Sequence, residues 1–99
     1  MELSVFERLV LLNILPKEGN VVTVRIIHDL RNRLGFTEEE LEKIQFTSNE
    51  KGTSWKQNVN AEIEIKGQAL KIICEAFDKL SNDNLLTVEI LPVYDRFMS

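Results

Sequence analysis

The chain reads as one α+β domain spanning residues 1–99. It has a helical N-terminal half, a small antiparallel sheet with a β-hairpin, and a long amphipathic helix near the C-terminus. Three observations predict this. A capped apolar run extends from Ser4 to Leu15. Glu62-Ile63-Glu64-Ile65 alternates with the period of a half-buried strand. From Ala69 to Leu80, apolar residues recur at helical spacing.

Ser4 caps the first helix, and Glu7, three residues on, completes a capping box. Phe6, Leu9 and Val10, joined by Val5, Leu12 and Leu15, give the helix a broad apolar face, and Pro16 ends it. Lys17-Glu18-Gly19-Asn20 is a turn. Val21-Val22 is β-branched and short enough for a two- or three-residue strand. Thr23 then stands as the N-cap of a helix over Val24–Leu34, and Gly35 stands where a left-handed C-cap is expected. The inward stripe of this helix is Ile26, Ile27, Leu30 and Leu34. Asp29 can pair with Arg25 and Arg33 at four-residue spacing.

Phe36 precedes a short acidic helix and is placed to staple onto Leu41. Thr37 and Glu40 form a second capping box, T-E-E-E. The helix ends near Lys43. Ile44–Thr47 and Thr53–Gln57 read as two strands joined by the turn Asn49-Glu50-Lys51-Gly52. Glu62–Ile65 is the third strand, with Ile63 and Ile65 inward. Lys71, Glu75 and Lys79 mark the wet side of the long helix that follows. The last segment reads in two ways: Thr87–Ile90 as a strand, or, the favoured reading, a helix from Thr87 to about Phe97 with Pro92 acceptable only near its first turn.

The order of parts from Ser4 to Gln57 is that of a winged helix-turn-helix. Charge argues against the DNA reading. Thr37–Lys43 occupies the place of the reading helix and carries a net charge of −3, which phosphates would repel. The whole chain has a net charge of −4, with twelve Lys and Arg against sixteen Asp and Glu. A winged-helix nucleic-acid binder, acting through Arg25, Arg31, Arg33, Lys51 and Lys56, is therefore the alternative and not the leading reading.

Catalytic and metal signatures are lacking. The single cysteine, Cys74, lies on the strongly apolar helix, and the single histidine, His28, sits beside arginines. There is no G-x-S-x-G, no H-E-x-x-H and no glycine-rich phosphate loop. Glu38 and Glu42 share a helix face, but no third ligand is marked. No enzyme activity, metal or cofactor is expected. One cysteine cannot form an internal disulfide, no apolar stretch approaches a membrane span, and the N-terminus has no secretory pattern. The expected location is the cytoplasm.

The chain resembles small proteins of unassigned activity encoded by bacteriophages and prophages. The resemblance rests on LSVFERLVLLNILPKEGN, on VRIIHDLRNRLGFTEEE, and on the tryptophan, the EIEI strand and the amphipathic helix that follow. It implies an intracellular accessory protein, acting in the host cell, and carries over no catalytic residue. Pro92 departs from the more Glu-rich, more helical last segment of that family. The leading expectation is a non-catalytic protein-interaction module with a host or phage protein as partner. A homodimer is the other way so small a domain can gain core. The surface expected to carry the contact is Glu38, Glu39, Glu42 and Trp55. Arg25, Arg31 and Arg33 form the expected anion-binding patch, and a small anionic ligand is a further alternative.

Overall fold

The computed structural model describes residues 1–50 and 52–98. Its elements are β1 (Glu2–Leu3), α1 (Val5–Ile14), α2 (Val21–Leu34), α3 (Glu38–Ile44), β2 (Thr47–Asn49), β3 (Gly52–Ser54), β4 (Ala61–Glu62), α4 (Gln68–Asn82) and α5 (Leu91–Met98). α1, α2, α4 and α5 surround one core that includes Leu11, Leu30, Leu34, Ile73, Phe77, Val93 and Phe97. Phe77 is its aromatic centre, edge-on to Tyr94 and tilted against Phe97, with centroids 5.8 and 5.9 Å away. Ile63 and Ile65 are buried and Glu62 and Glu64 exposed, so the period-two pattern does report the inward face.

Both capping boxes form. Ser4 Oγ accepts from the Glu7 amide and the Glu7 carboxylate accepts from the Ser4 amide. Thr37 and Glu40 do the same at α3. Each glutamate is also held by an arginine from a distant element. Arg96 in α5 reaches Glu7 at 2.6 Å, and Arg8 in α1 reaches Glu40 at 2.6 Å. The two helix starts are thereby tied into the tertiary fold.

Several expected boundaries move. Val21-Val22 is not a strand but the first turn of α2, and the N-cap is Asn20, not Thr23. Asn20 Oδ1 accepts from the Thr23 amide at 2.9 Å, so the helix begins three residues earlier. A cap worth about 1 kcal/mol outweighs the modest β-preference of two valines. Gly35 has φ −64°, so α2 does not end in the left-handed region. That conformation belongs to Gln45, at φ 54°, which terminates α3 while the Phe46 amide donates back to the Leu41 carbonyl. The expected strand Ile44–Thr47 is therefore a helix end, and the paired strands are shorter than predicted, Thr47–Asn49 and Gly52–Ser54. Asn84, at φ 58°, ends α4 in the same way, with the Leu85 amide donating to the Leu80 carbonyl. Phe36 stacks on Phe46 with centroids 6.4 Å apart.

β4 does not extend the hairpin into a three-stranded sheet. It pairs antiparallel with β1, Glu2 opposite Glu62 and Leu3 opposite Ala61, while β2 and β3 pair only with each other. β1 carries no sequence signal of its own at two residues long. With no strand between α1 and α2, the hairpin lacks the third strand on which a winged-helix wing is built. Gly67, at φ 63° and ψ −131°, turns the chain from Ile65 into α4 through backbone space that favours glycine. α5 begins at Leu91, later than Thr87. Pro92 falls in its first turn, where a missing N–H costs nothing, and the Thr87 hydroxyl accepts from the Ile90 amide just before it.

Candidate functional site

The acidic helix α3 divides into two roles. Glu40 faces α1, where Arg8 is 2% exposed and fully engaged. Its Nε donates to the Leu34 carbonyl at 3.0 Å, Nη2 donates to the Gly35 carbonyl, and the guanidinium lies 3.9 Å over the Phe36 ring. Arg8 therefore caps the C-terminus of α2 with a cation and clamps α3 beside it. The hydrogen bond from Arg8 holds the Glu40 carboxyl below the ordinary glutamate range, against some desolvation. Glu38, Glu39 and Glu42 are exposed, and among the described residues none forms an ion pair.

Trp55 is half-buried and tilts against Phe6 of α1, with centroids 6.4 Å apart. It follows β3 directly, and the Lys56 and Gln57 amides just beyond it donate to the Ile44 carbonyl at the end of α3. Its ring seats the end of the hairpin on α1, and the two amides tie it to α3. Lys51 lies outside the described residues.

The three expected anion-binding arginines do not converge. One turn of helix covers about 3.6 residues, which sends Arg25 outward and Arg33 to the far side of α2 from Arg31. Arg33 pairs with Asp29 at 2.9 Å and donates to the Glu64 carbonyl at 3.2 Å. Arg31 instead joins a stripe made by Val21, Val24 and His28 at i, i+3 and i+7, with Arg31 at i+10.

That stripe is the part of the surface sequence reasoning missed. Val21 is 67% exposed, Val22 58% and Val24 39%, three large apolar side chains on a single helix start. Beside it lies a groove of about 320 Å³ lined by Pro16, Lys17, Val24, Ile27, His28 and Arg31. A second groove, about 230 Å³, runs between α2 and α4 on the Val22 and Ile26 side, with Ile72 of α4 opposite. A third, about 160 Å³, continues from Pro16 to Leu80 and Leu85. Pro16 lines both the first and the third, so the apolar surface runs on across the turn after α1. The signal was present in the valine spacing, but a strand reading of Val21-Val22 hid it.

Cys74 sits on α4 with its thiol donating to the Phe97 carbonyl at 3.7 Å. Burial, then the charge of Asp78, pushes the thiol pKa up, which disfavours the thiolate. Among the described residues no cluster of His, Cys, Asp and Glu is arranged to hold a metal ion, and no helix is long and apolar enough to cross a membrane. No protein-family model matches the chain, and neither the curated proteins nor the solved structures contain a significant match.

Proposed function

We propose that this protein is a non-catalytic interaction module that docks another protein on the exposed side of α2. The observation that carries the reading is the apolar stripe of Val21 and Val24 beside the groove floored by Pro16 and Ile27. Apolar area left in water costs about 25 cal/mol per Å², and a contiguous patch with flanking grooves is the usual mark of a contact surface. The acidic helix has one glutamate committed to Arg8, and Trp55 has its ring on Phe6. That leaves exposed carboxylates without an apolar anchor, which is poor material for a central contact. The resemblance to phage and prophage proteins supports a partner drawn from host or phage proteins in the cytoplasm. Nucleic-acid binding is disfavoured by the charge of α3.

The test compares three forms of the chain in affinity capture from cell extract. Val24→Asp should abolish a partner that the unmodified chain retains. Reversing Glu38, Glu39 and Glu42 to Lys should leave it bound. The opposite pattern would move the contact to α3, and retention by all three forms would reject both surfaces.

A further inference from the structure

The groove beside Val24 is apolar at its floor and cationic at its rim. Pro16, Val24 and Ile27 supply the floor and Lys17 and Arg31 the charge of the rim, with His28 the sixth lining residue and no acidic side chain among the six. This is unusual in a chain whose net charge is −4. Nearby Asp29 does not neutralise the rim, because it is paired with Arg33. Among the described residues, neither Lys17 nor Arg31 forms an ion pair.

From this we infer that the groove takes an acidic protein segment with apolar anchors, its leucine-like side chains seated between Pro16, Val24 and Ile27 and its carboxylates meeting Lys17 and Arg31. The inference rests on the docking function proposed above and names the partner's chemistry. Two competing occupants fit less well. A nucleic-acid strand brings phosphates but offers little to an apolar floor, and no Phe, Tyr or Trp lines the groove for a base to stack on. A second copy related by a two-fold axis through this face would set Lys17 and Arg31 against Lys17 and Arg31, a like-charge arrangement that opposes association. An acidic, apolar segment satisfies both halves of the groove. The basic rim also steers its approach, which makes the association sensitive to salt.

An unbiased peptide-display selection on the full chain tests this, with counter-selection on Val24→Asp. Enriched peptides are expected to be net negative and to carry spaced Leu, Ile or Phe. A synthetic peptide of the winning sequence should move the amide resonances of Val24, Ile27, His28 and Arg31. Its affinity should fall about tenfold on Arg31→Glu, recover with Arg31→Lys, and weaken as salt rises. Circular dichroism of each variant confirms that the exposed substitutions leave the fold intact. Neutral or basic peptides that still require Val24 would overturn the acidic partner and leave the docking surface standing. No Val24-dependent peptide would overturn both. Tripolyphosphate or a single-stranded oligonucleotide producing the same shifts would mark an anion site instead. A concentration-dependent dimer in sedimentation, lost on Val24→Asp, would make the occupant a second copy.

Discussion

Two arginines, Arg8 and Arg31, meet opposite fates in this molecule. Arg8 stands on the apolar face of α1, yet two backbone carbonyls, a carboxylate and an aromatic ring surround it. Arg31 stands on the rim of an apolar groove with no carboxylate partner among the described residues. Both arginines have apolar neighbours, Phe36 under Arg8 and the groove residues Pro16, Val24 and Ile27 beside Arg31. The closed one is structural, because a buried cation persists only when its partners are in place. The open one has the same guanidinium with no ion-pair partner among the described residues, and that difference underlies the proposed docking function.

Breaking the closed site should give the largest effect. Arg8→Ala leaves the Glu40 carboxylate and the carbonyls of Leu34 and Gly35 without their donor. A loss of about 3 kcal/mol is expected, read as a lower urea midpoint. Arg8→Lys should recover only part of it, since an ammonium cannot make the same fork. An unchanged midpoint for Arg8→Ala would show that the junction is not a structural clamp.

The carboxylates of the two capping boxes give a pH signature. The Arg8 hydrogen bond lowers the Glu40 pKa. At Glu7, burial pushes the pKa up, but Arg96 and the Ser4 amide and hydroxyl outweigh it and the net shift is down. Groups with depressed folded-state pKa values contribute stability that is complete above the ordinary glutamate range and is lost as pH falls through the lowered values. Unfolding midpoints should therefore drop as pH falls below the ordinary glutamate range, and Glu40→Gln should flatten that fall while lowering the midpoint at neutral pH. A Glu40→Gln profile parallel to the unmodified chain would rule out this coupling.

Smaller effects sharpen the contrast further. Asn20→Ala removes the cap that starts α2 and should cost about 1 kcal/mol, with fraying visible as faster hydrogen exchange at Thr23 and Val24. Arg96→Ala breaks a more exposed pair with Glu7 and should cost about 1 kcal/mol or less. Arg31→Glu should change stability by no more than about 0.5 kcal/mol, because its side chain is exposed and forms no ion pair among the described residues. Its consequence belongs to binding alone. A large destabilisation by Arg31→Glu would end the comparison with Arg8.

The legible parts of the chain were those that local groups decide. Ser4 with Glu7, and Thr37 with Glu40, satisfy helix-start amides within four residues, so both boxes could be read directly. The facing of Ile63 and Ile65 followed from alternation, and that of α4 from helical spacing. The candidate site was harder to read. Glu38, Glu39, Glu42, Trp55 and the three arginines stood out as residue types, but residue type does not say which charges are already paired. The Val24 stripe could have been found by extending the α2 pattern back to Asn20.

The sequence by itself determined the capping boxes that start α1 and α3, the α+β class and the inward face of α4, because each depends on contacts or periodicities spanning a few residues. Only the tertiary structure decided that Arg8 meets Glu40, that β1 pairs with β4, and that Trp55 rests on Phe6. Those partners lie far apart along the chain, and their meeting depends on how the helices pack. The same packing closed the site around Arg8 and left the groove beside Arg31 open.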